Sequence, residues 1–326
     1  MFKHPTWILE TNVFSEACFD RMVAHFEAHA IPYETVRVVP FAHTVQGPTP
    51  KVSGPVVCYG SLGIQKVAKE AGWYPGVWFD EERFSTTAYK ALGNLFLNND
   101  AIVMKMSEVY NYLDWAKLTD VFLKPNGDLK QFAGQTMYRD DFKAWHDKMV
   151  SIGYLEEDDF EVVIAPIKEL GREYRCVVVD SEIVATSRVR PTAVQENLPP
   201  EAEIAVGLAI TLYEPAPIYV IDVCEVFVDG NVYWQIIEYN NFNSAGFYEC
   251  DVANIIEAVT DYFHTLVDFA ELAATKTLQA GAERRRAMKI EAADLRALAD
   301  LEEQLGDHEQ AESIREQAQR LDDYVG

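Results

Sequence analysis

The stretch that most constrains the fold is IYVIDVCEVFVDGNVYWQIIEYNNFN, from Ile218 to Asn243. Two apolar runs flank Asp229-Gly230-Asn231, and Asp-Gly between such runs is a strong hairpin signal. The first run carries an acid, Asp222, among valines and isoleucines; the second ends in Glu238, Asn240 and Asn241. Pairing the two runs brings Asp222 near Glu238. An acid inside an apolar strand is costly unless it is paired or bound to a cation. Asp222, Glu238 and Asn240 offer hard oxygens, which suit magnesium better than zinc. The hairpin therefore reads in two ways: as the floor of a magnesium–nucleotide site, or as a strand pair whose acids face water.

Upstream, the chain alternates strand and helix. Trp7 to Glu10 reads as a strand, and Ser15 as the N-cap of a helix that turns Phe19, Met22, Val23 and Phe26 inward. Tyr33 to Val39 and Val56 to Tyr59 read as further strands, the latter turning through Gly60-Ser61-Leu62-Gly63 into a helix that ends at Ala71. That rhythm predicts a small parallel α/β domain over residues 1–105, closed by a helix at Thr86 to Leu97 and a strand at Ala101 to Lys105. The Gly60 to Gly63 turn could hold a phosphate at a helix N-terminus or help bind the acceptor substrate, but it matches neither a dinucleotide fingerprint nor a P-loop and reads first as a plain strand-to-helix turn.

A second domain is expected over 106–272. Val121 to Pro125 is a strand ending at Lys124, followed by a glycine-containing loop with Lys130 and Gly134. Phe160 to Ile167 is an apolar strand. Gly171 to Asp180 and Glu182 to Arg190 form a second hairpin, which by alternation sets Glu173 with Arg175 on one face and Arg188 with Arg190 on one face. Beyond about Ala282 aromatic residues nearly vanish. Leu295, Leu298, Leu301 and Leu305, then Ala311, Ile314, Ala318 and Leu321, recur at three and four, which predicts an α-helical hairpin over 273–326 with one apolar stripe per helix. Such a stripe packs on its own chain or in a homodimer through these C-terminal helices.

Composition narrows the function classes. A formal net charge of −24 argues against a broad grip on a nucleic-acid backbone, while leaving local basic sites open. The five cysteines are scattered without metal-ligand spacing, which suits reduced thiols in a cytoplasmic protein. No apolar run is long enough to span a membrane, and the N-terminus lacks a signal-peptide pattern.

The order of these parts resembles the ATP-grasp superfamily of carboxylate–amine ligases: a small α/β domain, Lys124-Pro125, a loop with Lys130-x-Phe132-x-Gly134, an apolar strand at Glu161 to Ile167, Glu173-x-Arg175, Asp222, and Glu238-x-Asn240. Within it, the two lysines followed by Arg175 are similar to the clade named for one arginine and two lysines. The resemblance covers about Ile102 to Phe269. It implies a small parallel α/β N-terminal domain followed by a two-lobed α+β domain with antiparallel sheets. It further implies ATP and Mg²⁺ as cofactors, with Lys124, Lys130, Gly134, Glu161, Val163, Ile164 and Ala165 binding ATP. Arg175, Arg188 and Lys130 are then the catalytic cations, and Asp222, Glu238 and Asn240 the metal ligands, with Asn243 as an additional polar contact. One departure stands out: Val220 occupies the position where some of these ligases carry an arginine two residues before the metal-binding aspartate, so the phosphate arginine has to be Arg175 or Arg188.

The implied activity is ATP-dependent amide-bond formation through an acyl-phosphate, joining a small-molecule, peptide or protein carboxylate to an amine. Two other readings remain open at this level: a nucleotide-binding interaction module without turnover, and a ligase acting on a nucleotide or nucleic-acid end.

Overall fold

The computed structural model describes residues 4–12, 17–39, 42–129, 131–153, 155, 160–266, 288–289, 292–293, 295–297, 299–300, 303 and 308–325. The chain divides into two compact units, residues 1–263 and 264–326.

The first unit opens with β1 (Thr6–Glu10), a helix at Ala17–His29, β2 (Tyr33–Val36), the short pair β3 (Val38–Val39) and β4 (Thr44–Val45), then β5 (Val56–Tyr59), a helix at Ile64–Ala71 and β6 (Pro75–Gly76). Ser15, expected to cap the first helix, lies outside the described residues. Strands in the order β2-β1-β5-β6 form a parallel sheet, as the strand–helix rhythm requires. The helix expected over Thr86 to Leu97 is a single turn at Thr86–Tyr89 followed by a 3-10 segment at Lys90–Leu95, broken at Gly93. Past the break the chain runs alongside the later hairpin, with an isolated bridge from Phe96 to Ile236.

A second sheet follows, built from β7 (Ile102–Lys105), β8 (Asp120–Pro125), β9 (Gln135–Tyr138) and β10 (Glu161–Ala165) in the order β7-β10-β8-β9, all antiparallel. The strand at 102–105, assigned from sequence to the N-terminal domain, is hydrogen-bonded into this sheet instead. Helices at Val109–Ala116 and Arg139–Ser151 cover one face, enclosing Val109, Leu113, Leu123, Phe142 and Val162.

The third sheet, β12-β11-β13-β14, contains β11 (Glu169–Val179), β12 (Glu182–Arg190), β13 (Ile218–Val228) and β14 (Asn231–Asn241), again antiparallel. The β13–β14 turn has Asp229 at φ 51° and Gly230 at φ 79°, the two positive values of a type I′ turn, which suit Gly and Asp. One face, through Tyr174, Cys176, Val178, Tyr219 and Ile221, packs on Val206 and Ala209 of a helix at Pro200–Leu212. On the opposite face Val177, Val179, Ile218 and Val220 share a core with Trp7, Leu9 and Phe26 of the N-terminal layer and with Ile255, Ile256 and Val259 of a helix over 252–266. The N-terminal layer is thus not a separate body; it seals one end of this sheet's second face and leaves the other end open.

In the second unit, the ion pairs Arg296–Asp322 and Arg315–Asp300, the latter at 3.0 Å, set residues 296 and 300 in antiparallel order along a helix at His308–Val325. Ile314 and Ala318 are buried there, as the stripe predicts. Leu298, Leu301 and Leu305 lie outside the described residues, as does the expected boundary at 272–273. Among the described residues no helix is long and apolar enough to cross a membrane.

Candidate active site

Three directly opposed residues on adjacent strands, Arg175 on β11, Asp222 on β13 and Glu238 on β14, form one row on the open end of the third sheet. The row depends on an irregularity. Asp222 faces Glu238, but the next partner pair is Val223–Ile236, so Ile237 is the extra residue of a bulge. The bulge sets the phase of β14 at this point, so that Glu238 stands beside Asp222 and Asn240 follows on the same face.

Asp222 does not face water. It is 2% exposed and receives Nε and Nη2 of Arg175 at 2.8 and 2.7 Å, a bidentate pair. Arg175 also donates from Nη1 to Gly246 O at 2.7 Å and lies 4.9 Å from the Tyr248 ring centre. Burial works against the Arg175 charge, yet Asp222 and the other acids nearby raise its pKa above the ordinary arginine value. Asn240 Nδ2 donates to Asp222 at 3.0 Å and to Glu238 at 3.4 Å.

From the second sheet, Lys124 reaches over and donates to Glu238 at 2.7 Å. Burial lowers the Lys124 pKa, but Glu238, Tyr89 and Asp128 more than offset it, leaving a firmly charged ammonium. Around these groups lies a cleft of about 790 Å³, within the range of small-molecule sites. Its lining includes Phe122, Lys124, Gly134, Ile167, Lys168, Glu173, Arg175, Arg190, Asp222, Glu238 and Asn240. Glu173 is ion-paired with Arg190 at 3.1 Å, and burial together with the Asp222 charge pushes its carboxyl up to about 7.

Several expected residues lie elsewhere. A second bulge pairs Glu173 with Arg190 but Tyr174 with Arg188, so Arg188 and Arg190 no longer share a face. Arg188 turns to Glu196, 3.3 Å away, which also accepts from Tyr174, and it does not line the cleft; Arg190 takes that place. Glu161 accepts from Asn126 Nδ2 at 2.9 Å and also stays out of the lining. Val163, Ile164 and Ala165 are buried and do not line the cleft: Ile164 faces the helix-covered core, while Val163 and Ala165 pack with Ala101 against Phe122, and the lining at this point comes from Pro166, Ile167 and Lys168, which follow the strand. Asn243 is a structural pin: it accepts from Trp78 N at 2.7 Å and donates to Cys58 O and Gly76 O. Gly134 lines the cleft where a Cβ would come within 2.8 Å of the Phe122 ring. Lys130 lies outside the described residues.

Sequence reasoning missed Asp128. This buried acid from the β8–β9 loop crosses to β14 and accepts from both the backbone and side-chain nitrogens of Asn241, at 2.8 and 2.6 Å. In sequence it is one more polar residue of an Asn-Gly-Asp turn, with nothing to mark so distant a partner.

The donor set suits a hard cation. Among the described residues no group of three or more His, Cys, Asp or Glu side chains could hold a metal ion by itself. Two carboxylates with an amide oxygen is the sparse protein contribution expected where magnesium also uses phosphate oxygens and water. Asn240 presents its nitrogen to both carboxylates, so serving as a ligand would require its amide to turn over.

Residues 100–261 match a family model for the ATP-grasp domain, the third family of the clade named for one arginine and two lysines. No curated protein matches the chain. Among solved structures, the fold is similar to that of the RimK domain protein ATP-grasp from Sphaerobacter thermophilus DSM 20745, at 14% identity over 79% of this chain and 98% of that chain, with a TM-score of 0.55. It is also similar to D-cycloserine synthetase DcsG, at 11% identity over 78% of this chain and 98% of that chain, with a TM-score of 0.52. D-alanine–D-alanine ligase from Bacillus anthracis matches at 14% identity over 84% of this chain and 99% of that chain, with a TM-score of 0.50. The lysine-bearing and arginine-bearing sheets that meet in this cleft, residues 100–261, therefore form an ATP-grasp domain of the one-arginine, two-lysine clade.

Proposed function

We propose that the cleft binds ATP with magnesium and that the protein is a carboxylate–amine ligase. The observation that carries this reading is the meeting of Lys124 from one sheet with the Arg175–Asp222–Glu238 row of the other. Each cation holds one of the acids that would serve as a magnesium ligand. With nucleotide and magnesium bound, Lys124 and Arg175 would hold phosphate oxygens, and Asp222, Glu238 and a turned Asn240 would hold the ion. Magnesium there would neutralise charge on the β- and γ-phosphates.

The chain's own residues then have defined tasks. Lys124 and Arg175 offset the repulsion between a substrate carboxylate and the γ-phosphate it attacks. The β8–β9 loop, with Gly134 in the cleft lining, would cover the phosphates and keep water from the acyl-phosphate. Glu173 lines the cleft between Arg175 and Arg190, 3.1 Å from the latter, where its carboxylate can accept the proton that the incoming amine must lose. ADP leaves as the carboxylate takes the γ-phosphoryl group, and the acyl-phosphate then loses phosphate as the amide forms. Substrates of the size handled by D-alanine–D-alanine ligase or D-cycloserine synthetase, or a peptide end, suit this chemistry. A cytoplasmic setting, where ATP is available, agrees with five buried free thiols.

The test is an untargeted mass-spectrometric search for ATP-dependent mass gain in pooled carboxylates and amines, scored with ADP and phosphate release. Wild-type protein is expected to form a product that Glu238→Gln does not. ATP binding without turnover on any pool would favour an interaction module, and a product confined to nucleotide or nucleic-acid ends would redirect the substrate class.

A further inference from the structure

The segment after β14 has no task in the chemistry above, yet it supplies two of the groups around Arg175. Gly246 O accepts from Nη1 at 2.7 Å, and the Tyr248 ring covers the guanidinium with its centre 4.9 Å away. Tyr248 also lines the cleft. Its backbone has φ 49°, a left-handed value that a bulky residue seldom adopts unless its surroundings impose it. The ring stands over Arg175 because the main chain beneath it is held.

The N-terminal layer does the holding. Gly60 N donates to Asn243 O at 2.8 Å, Tyr59 Oη donates to Ala245 O at 3.0 Å, and the Tyr59 ring stacks on Phe247 with centres 4.5 Å apart. Next comes Arg21, on the helix at Ala17–His29. Its Nη2 donates to Tyr248 O, and its Nη1 pairs with the Glu249 carboxylate. Glu249 N donates in turn to Ser187 Oγ of β12 at 3.3 Å. Arg21 is thus bonded directly to the residue whose ring covers Arg175. Asp222 and Gly246 engage Nε, Nη2 and Nη1 of Arg175 once each, so one N–H remains on each Nη for a ligand. With the ring over one face, those two N–H groups keep a fixed direction, and donors fixed in advance stabilise developing charge without reorganising.

We infer that Arg21 is a positioning residue: through Tyr248 it holds Arg175 in the orientation that meets the γ-phosphate. This rests on the nucleotide reading of the cleft, and the test separates the two. ADP and the non-hydrolysable β,γ-imido analogue of ATP, each with magnesium, are titrated calorimetrically into wild-type protein and variants. Both ligands can meet Lys124, but only the analogue carries a γ-phosphate. Wild type is expected to bind the analogue more tightly than ADP. Arg21→Met and Tyr248→Leu should each cut that preference about fivefold and leave ADP affinity unchanged. Tyr248→Phe keeps the ring and should keep the preference. The Arg21 side chain is 37% exposed, so losing its ion pair costs the fold little. Arg21→Gln, which stays polar, reads the same change if the methionine variant fails to fold. An unchanged preference in the Arg21 variants overturns the inference, as does parallel weakening of both ligands, the mark of a merely structural role. Equal loss in Tyr248→Phe and Tyr248→Leu also overturns it, because the ring would then not be the link. Wild-type protein that binds ADP as tightly as the analogue overturns it and leaves the nucleotide site standing. Binding of neither ligand to wild type overturns the nucleotide reading itself.

Discussion

The bidentate contact between Arg175 and Asp222 takes two charges almost out of water. Such a pair adds little net stability compared with apolar residues of similar volume, but breaking it strands one charge. Arg175→Leu is expected to destabilise the protein by about 3–5 kcal/mol in urea unfolding, and the double variant Arg175→Leu/Asp222→Leu to recover most of that loss. A double variant as unstable as the single would show that the pair is not coupled. Glu173 gives a pH signature. Its folded pKa of about 7 exceeds the value of 4.5 expected when unfolded, so between these limits the folded state keeps a proton that the unfolded chain has lost. Stability of the nucleotide-free protein therefore falls as pH rises from 4.5 to 7, by about 3 kcal/mol from this group. Unfolding curves of wild type and Glu173→Gln should diverge across that window. At this scale the sequence was informative where residue type and strand position agreed: Lys124, Arg175, Asp222, Glu238 and Asn240 come together. Asp128 was not legible, because an aspartate in a loop carries no mark of burial.

Between residue and fold, two bulges decide which side chains enter the cleft. Alternation alone keeps Arg188 and Arg190 together, and the irregularity on β12 separates them. The bulge at Ile237 places Glu238 opposite Asp222, and no period of two foretells it. The hairpin itself was legible because Asp229-Gly230 has a turn chemistry that few other structures accept. Segment ends were less so: the apolar strand at 161–165 was expected to supply the nucleotide slot, but Val163 and Ala165 lie packed against Phe122, and Phe122 and the chain just past the strand's end line the cleft. The β8–β9 loop is tied to β14 by Asp128. Asp128→Ala leaves the Asn241 backbone N–H without its acceptor, while Nδ2 keeps Ser244 Oγ at 2.8 Å. This should cost about 1–3 kcal/mol and speed hydrogen exchange at the Asn241 amide. Unchanged exchange there would mean that the loop is held by other contacts.

Over the whole first unit, one core joins the N-terminal layer to the third sheet, with Phe242 in ring contact with Trp7, Tyr59, Trp78 and Phe247. The strand–helix rhythm foretold the parallel sheet but not this fusion, since an apolar face does not name the surface that covers it. Phe242→Ala should cost about 3–5 kcal/mol and lower the melting of both layers together in calorimetry; separate transitions would argue for independent domains. The same architecture leaves one end of the third sheet uncovered, where the cations of two sheets already hold the acids. The most direct test of the central claim is calorimetric titration of ATP with and without magnesium into wild type, Lys124→Ala and Asp222→Asn. Wild type is expected to bind ATP, more tightly with magnesium; Lys124→Ala should lose at least tenfold in affinity, and Asp222→Asn should lose the magnesium enhancement. Wild-type protein that does not bind ATP, or binds it equally in all three proteins with no effect of magnesium, would contradict the account.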